Sequence, residues 1–132
     1  MNKRRQRGEE IRREVMSDPF VDRALDNMSE FDQPLQELVM ETAWGTVWDR
    51  DDLPRTTRSL ITIAMLAALK CPNELKGHVL GALRNGCSKE EVRAVLLHSV
   101  PYIGAPASLE AFRAAREVVE QWDETAASSP AK

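Results

Sequence analysis

The sequence predicts an all-α fold, on three observations. Apolar residues recur at the spacing of amphipathic helices, and no segment shows the sustained alternation of a half-buried strand. Hydrophobic residues make up 42% of the 132 residues, which is enough to form a core. This length suits one domain. We therefore expect a single helical bundle over residues 1–123, followed by a small, polar and disordered tail over residues 124–132.

Two N-terminal helices are predicted from polar caps and short apolar stripes. The first covers roughly residues 3–16, with Ile11 and Val15 as its few apolar residues. The second covers residues 19–28, because Asp18 suits the N-cap and Pro19 suits the first helical position.

A third helix is predicted over residues 34–44, with its start at Asp32 or Gln33. Its apolar side carries a group of four residues, Leu35, Leu38, Val39 and Thr42. A polar turn then leads to Pro54, where the next helix begins.

The fourth predicted helix, residues 54–70, is apolar on all sides between Leu60 and Leu69 apart from Thr62. A helix of this kind is central to a core or to a subunit interface. The apolar run is too short to span a bilayer, and the charged N-terminus lacks the apolar stretch of a signal peptide. We expect a soluble, cytoplasmic protein with no membrane partner.

The segment from Cys71 to Gly86 predicts a helix with a proline at its start and a glycine just past its end. Glu74 and His78 lie four residues apart and so share one helix face. The apolar stripe beside them faces the core and comprises Leu75, Val79, Ala82 and Leu83. Gly77 and Gly81 indicate either close helix packing or room for a ligand beside the histidine.

The remaining helices are bounded by clear signals. Ser88 and Glu91 form a capping box, and Pro101 predicts a kink or an end. A turn is expected over residues 102–106, and a last helix over residues 107–122.

Composition excludes several classes of function. The net charge of −3 and the pI of about 5.5 argue against a nucleic-acid partner. Two cysteines, Cys71 and Cys87, are too few for a disulfide framework. The two histidines and scattered carboxylates show no recognised metal-ligand spacing, so we expect no metal site.

Several motifs occur together in a characteristic order. They are Ala43-Trp44-Gly45-x-x-Trp48, Leu53-Pro54-x-x-Thr57-Arg58-Ser59-Leu60, Glu74-Leu75-x-x-His78, Asn85-Gly86, Glu90-Glu91-Val92-x-x-Val95-Leu96-Leu97-His98 and Tyr102-x-Gly104-x-Pro106. In this order and spacing the chain resembles the carboxymuconolactone decarboxylase family, with its alkylhydroperoxidase D-like helical fold. The resemblance runs from about Arg12 to Val119.

The resemblance implies cofactor-free decarboxylation of 4-carboxymuconolactone to 3-oxoadipate enol-lactone in protocatechuate catabolism, by a ring-forming homotrimer or homohexamer. The peroxidase branch of the fold carries Cys-x-x-Cys-x-x-x-His, whereas this chain has Glu74 at the second cysteine position. A dithiol therefore cannot form within the motif. The chain departs from the decarboxylase pattern at Arg84, at Pro101 and over residues 107–109, which bears on the choice of lactone.

This chemistry needs a proton donor and groups that hold a dianionic substrate. His78 is the first candidate for proton donor, with Glu74 orienting it or delivering the proton; a structural role for His78 is the alternative. His98 is the second candidate, with a structural or interface role as its alternative.

Four further residues are candidates for substrate binding. Arg58 could bind a substrate carboxylate, or else form a salt bridge to Glu41 or Asp51. Trp44, Trp48 and Tyr102 could wall the pocket or could serve core or interface packing. Two other functions stay open: redox chemistry at Cys71, and a non-catalytic oligomeric binding protein.

Overall fold

The computed structural model describes residues 2–128 and confirms the all-α prediction, with no strand in that range. It contains seven α-helices and one π-helical segment, Met40–Val47, between the third and fourth of them. The α-helices are α1 (Lys3–Met16), α2 (Asp18–Asp26), α3 (Gln33–Val39), α4 (Arg55–Ala68), α5 (Pro72–Arg84), α6 (Lys89–Ile103) and α7 (Ala105–Ser128). No helix among these residues is long and apolar enough to cross a membrane.

The chain divides into two compact units, with the boundary between Arg58 and Ser59 in the first turn of α4. In the N-terminal unit, α1 packs along the π-helical segment. The buried side chains of this contact are Ile11, Val15, Met16, Trp44 and Trp48. Two glycines, Gly8 and Gly45, allow the backbones to approach, because a Cβ on either would overlap backbone atoms of the other segment.

The predicted starts of two helices in this unit, α2 and α3, differ in detail from the structure. Helix α2 begins at Asp18, one residue earlier than predicted, because Ser17 is the N-cap and its Oγ accepts a hydrogen bond from the Phe20 amide at 3.3 Å. Asp32 does occupy the N-cap position of α3. Its carboxylate does not cap the helix but accepts hydrogen bonds from the amide and hydroxyl of Ser29, at 2.6 and 2.7 Å.

The third predicted helix differs from the structure in two ways. It is regular only through Val39 and then continues as the π-helical segment to Val47, so the polar turn starts later than expected. Its apolar side faces the core only at its end: Val39 packs, partly buried, against the N-terminal core, whereas Leu35 and Leu38 are 58% and 56% exposed.

The C-terminal unit contains the larger core. Helix α7 packs against both α5 and α6, and the predicted stripe of α5 is buried, with Leu75, Val79, Ala82 and Leu83 all in the core cluster. Helix α4 contributes Ile63 and Ala67 to that cluster but leaves Ile61, Met65 and Leu69 exposed.

The last two helices confirm the capping box and correct three boundaries. Ser88 and Glu91 exchange the two hydrogen bonds of the box. Pro101 does not end α6, which continues to Ile103 because Gly104, at φ +89°, supplies the turn. Only Gly104 separates α6 from α7, so the turn expected over residues 102–106 is reduced to this one residue. Helix α7 continues to Ser128, where residues 124–128 were predicted to be disordered; alanine and glutamate there favour the helix. Residues 129–132 lie outside the described range.

Helices α4 and α5 end in the same Schellman motif but with different residues at the left-handed position. The amides of Lys70 and Cys71 donate to the carbonyls of Ala67 and Leu66, as those of Gly86 and Cys87 donate to Leu83 and Ala82. The left-handed residue is Gly86 after α5 but Lys70, at φ +59°, after α4. A side chain there costs free energy that glycine avoids.

We therefore expect Lys70→Gly to raise the free energy of unfolding. The gain is about 0.5–1 kcal/mol, because the relief of backbone strain is partly offset by the extra freedom of glycine in the unfolded chain. Urea unfolding at fixed protein concentration measures this, with Lys70→Ala as the control that keeps the strain. Equal stabilities of the glycine and alanine variants would contradict the prediction.

Candidate active site

The predicted site residues are distributed over both units. Trp44, Trp48 and Arg58 belong to the N-terminal unit, and the C-terminal unit holds the others, Glu74, His78, His98 and Tyr102. Within the units, the structure brings together Trp44 with Trp48, Glu74 with His78 along one face of α5, and His98 with Tyr102 on α6.

The acid and base of α5 have different environments. Pro72 starts the helix, Glu74 lies exposed in its first turn, and His78 follows one turn later. The imidazole of His78 is half-buried and its Nδ1 atom is buried. A substrate can therefore reach only the exposed part of the ring, as a directed proton donor requires. The core stripe on the adjacent side of α5 fixes the helix that carries both groups.

His98 and Tyr102 form an aromatic pair on the exposed side of α6. Their ring centroids are 5.4 Å apart and the ring planes are tilted by 40°. Both side chains are exposed, Tyr102 to 77%. The opposite side of α6 is in contact with the core through Val92 and Leu96. The pair can therefore enclose a ligand only where another surface covers it.

Trp44 and Trp48 are part of the core of the N-terminal unit. Their rings stack with centroids 4.8 Å apart and planes 25° from parallel, and both are buried against α1 residues Ile11 and Val15. This placement agrees with the packing alternative. Trp44 lies in the π-helical segment, a type of backbone that often occurs at functional sites, so a role of these rings as pocket walls stays a prediction.

Arg58 is nearly covered, with a side chain 10% exposed, and its Nη2 donates to Asp52 Oδ1 at 2.8 Å. Arg58 therefore forms the salt bridge to a carboxylate that was one of its two predicted roles, with Asp52 as partner rather than the examples named, Glu41 and Asp51. Arg50 also hydrogen-bonds Asp52 and, with a smaller contribution from Arg58, lowers the pKa of its carboxyl. Asp52 thus stays ionised, and it would keep Arg50 as a partner if Arg58 turned to a ligand.

Sequence analysis missed Arg12, a half-buried guanidinium in α1. Its Nη1 donates to Gln36 Oε1 at 3.0 Å and its Cζ lies 6.0 Å from the centroid of the Phe20 ring. Burial lowers the pKa of Arg12, and within residues 2–128 it has no ion pair with a carboxylate. The helical spacing of the sequence could have identified it, because Arg12 lies on the same face of α1 as Gly8 and Val15, where a charged residue is unexpected.

Neither Cys71 nor Cys87 forms a disulfide in the described part of the chain. Cys71 occupies the N-cap of α5, half-buried, with Sγ 3.6 Å from the Leu69 carbonyl oxygen. Cys87 is buried, and that burial, together with the nearby charge of Glu91, raises the pKa of its thiol. A raised pKa keeps Cys87 protonated and therefore a poor nucleophile. In the described part of the chain, no group of three or more histidine, cysteine and acidic side chains is placed to hold a metal ion.

Comparison with known proteins identifies the family. The model of the carboxymuconolactone decarboxylase family matches residues 33–117, a range that includes all the predicted site residues. The chain belongs to this family. The resemblance seen in the sequence motifs is thereby confirmed, and the all-α structure is consistent with the family fold.

Two relatives extend the comparison to most of the chain. Over 115 residues the chain is 44% identical to a 4-carboxymuconolactone decarboxylase from Acinetobacter baylyi, a match covering 87% of this chain and 86% of that protein. Over 104 residues it is 41% identical to a nitrosuccinic acid decarboxylase from Metarhizium robertsii, covering 79% of this chain and 73% of that protein. Both relatives are named as decarboxylases.

Proposed function

We propose that this protein is a carboxy-lyase that converts 4-carboxymuconolactone to 3-oxoadipate enol-lactone and carbon dioxide without a cofactor. The observation that carries the proposal is the 44% identity, over most of both chains, to a 4-carboxymuconolactone decarboxylase. The acid–base pair on α5 supports it, because the reaction needs a proton donor beside an apolar surface.

The reaction can be derived from the substrate. The bond between the ring carbon and the leaving carboxylate breaks, and its electron pair moves through the ring double bond onto the lactone carbonyl oxygen. The dienolate then takes a proton on the carbon alpha to the carbonyl. Stabilising the developing oxyanion is the largest demand on the protein, and one positioned acid contributes roughly 10²–10⁴-fold.

His78 is assigned as the acid that protonates the alpha carbon. Its ring is held at the edge of the α5 core stripe with one nitrogen buried, so its position relative to the helix is fixed. Glu74, one turn earlier on the same face, is assigned to orient the imidazole or to deliver the proton itself. His98 and Tyr102 are assigned to substrate contacts on α6.

Two cations of the N-terminal unit suit the carboxylates of a dianionic substrate. Arg58 is nearly covered but its partner Asp52 is half-exposed and also bound to Arg50, so the guanidinium can exchange that contact for a ligand. Arg12 is half-buried beside an aromatic ring and an amide. A planar guanidinium matches a carboxylate with two parallel hydrogen bonds.

Replacing Arg58 with alanine should raise KM for the lactone by about tenfold or more while changing kcat little, because a carboxylate contact is similar in the ground and transition states. Arg55→Ala is the matched control: Arg55 lies one turn earlier on α4 and also forms an ion pair, with Glu14. Steady-state kinetics on the lactone measure kcat and KM for the wild type and both variants. A fall in kcat with unchanged KM would place Arg58 in the chemical step instead.

Cys71→Ala should retain decarboxylase activity within about threefold, well under the tenfold that corresponds to 1.4 kcal/mol of barrier. The reason is that the redox motif lacks its second cysteine and the Cys71 thiol donates only a weak hydrogen bond to the Leu69 carbonyl. Turnover before and after treatment with a thiol-alkylating reagent checks this in the wild type. Loss of more than tenfold in Cys71→Ala would favour thiol chemistry.

Nitrosuccinic acid is the second candidate substrate, because the other relative is named for its decarboxylation. A nitro group, like a conjugated carbonyl, can accept the electron pair that decarboxylation releases. The experiment is to measure kcat/KM on both compounds with the same enzyme. We expect the lactone to be preferred by at least about 100-fold, or 2.7 kcal/mol; the reverse preference would replace the proposed substrate.

We also propose that the protein works in the cytoplasm as a homotrimer or homohexamer. The exposed apolar residues Ile61, Met65 and Leu69 on α4 support assembly, since they fall on one helix face. A contiguous exposed apolar patch on a small protein marks an interaction surface.

A further inference from the structure

A groove of about 350 Å³ lies between α6 and α7, apart from the proposed acid–base pair of α5. Its apolar lining includes the buried residues Val92 and Leu96 of α6 and the more exposed Leu109 and Phe112 of α7. We call this feature the α6/α7 groove. Its apolar lining suits the apolar side chains of a helix laid along it.

The charges around the α6/α7 groove are all positive. They belong to Lys89, Arg93, Arg113 and Arg116, and no acidic residue lines it. Lys89 and Arg116 form ion pairs with carboxylates outside the groove. Arg93 and Arg113 have no ion pair within residues 2–128. The groove therefore suits an occupant that is both apolar and acidic.

The N-terminal unit presents a surface of that chemistry. Phe31, in the turn before α3, and Leu35 and Leu38, on α3, are all exposed, Phe31 to 95%. We call these three residues the α3 stripe. Residues 24–49 contain no lysine, arginine or histidine but six acidic residues. Glu30, next to the stripe, is exposed and has no ion pair within the described residues.

We propose that the α6/α7 groove of one copy of the protein receives the α3 stripe of a second copy. The two surfaces are complementary in polarity and in charge, and complementary charges set partner choice and register at an interface. The contact joins two different surfaces, so repeating it around a rotation axis closes a ring. The inference rests on the proposed homo-oligomer and specifies which surfaces hold it together.

The test reverses the charge of one surface at a time, in two separate variants. A groove variant, Arg93→Glu with Arg113→Glu, makes the groove acidic while the stripe stays acidic. A stripe variant, Glu30→Arg with Gln33→Arg, makes the stripe basic while the groove stays basic; both altered stripe positions are exposed. Sedimentation velocity at micromolar concentration measures mass against the 14.9 kDa of one chain.

We expect each variant alone to associate at least about tenfold more weakly than the wild type. Mixing the two variants should restore association between unlike chains, because each groove then meets a stripe of opposite charge on the other chain. Such a ring alternates the two variants and closes only with an even number of chains, so recovery is measured as a mass above that of either variant alone. The control reverses two exposed charges outside both surfaces, Lys3→Glu with Arg23→Glu, and should keep the wild-type mass.

Three outcomes would overturn the inference, and they differ from one another. Variants that keep the wild-type mass would reject this pairing while leaving the homo-oligomer intact. Variants that dissociate but do not recover on mixing would show that each surface contacts something else. A monomeric wild type would reject both the homo-oligomer and this pairing.

Discussion

Replacing His78 with alanine should lower kcat for decarboxylation of 4-carboxymuconolactone by about 10²-fold or more, the usual contribution of a positioned general acid. The side chain is half-buried at the edge of the α5 stripe, and the residues that form the core beside it are unchanged in the variant. Folding and oligomer size should therefore be retained, which circular dichroism and sedimentation check.

The matched control for His78 is His98→Ala. His98 is also a histidine on a helix of the C-terminal unit, but it is exposed and paired with Tyr102. We expect His98→Ala to affect KM more than kcat. If His98→Ala instead showed the large loss of kcat and His78→Ala turned over normally, the proton donor would have to be reassigned to α6.

Gly8→Ala should lower the free energy of unfolding by roughly 2 kcal/mol, the upper end of the overpacking range less the gain in helix propensity. Overpacking in a close contact costs about 1–3 kcal/mol, occasionally more, and the better helix propensity of alanine offsets roughly 1 kcal/mol of it. The added Cβ would overlap the backbone oxygen of Met40 and lie 2.8 Å from the amide nitrogen of Gly45. These neighbours are backbone atoms, which cannot change rotamer as a flexible side chain can. Helix α1 must therefore shift away from the π-helical segment to make room for the Cβ.

Urea unfolding at fixed protein concentration measures this effect, because assembly would otherwise contribute to the apparent stability. Glu10→Ala, on the same helix but exposed, is the control and should change stability by less than about 0.5 kcal/mol. An equal stability of Gly8→Ala and wild type would mean that the contact between α1 and the π-helical segment is looser than the structure has it.

Local signals in the sequence predicted most of the fold. The proline and glycine that bound α5 and the capping box of α6 act within one or two helical turns, so spacing alone located both elements. The π-helical segment was missed because its extra residue per turn depends on packing against Gly8 of a distant helix. The exposure of Leu35 and Leu38 was also missed, because an apolar stripe does not tell which surface covers it.

The candidate site was predictable in its residues but less so in their partners. The i, i+4 spacing placed Glu74 and His78 on one face of α5. By contrast, the partner of Arg58 depends on how the loop before α4 folds, and the structure selects Asp52. Arg12 was missed because α1 contains many charged residues, and their number does not show which one is buried. Only its position on the buried face of α1 distinguishes Arg12.

Turnover of 4-carboxymuconolactone by the purified protein in chelator-treated buffer tests the central claim most directly. The reaction is followed by release of carbon dioxide and, in deuterated water, by deuterium on the carbon alpha to the lactone carbonyl of the product. We predict one carbon dioxide and one deuteron for each 3-oxoadipate enol-lactone formed, with no metal or thiol requirement. No turnover of this lactone by a folded, assembled protein would contradict the proposed function.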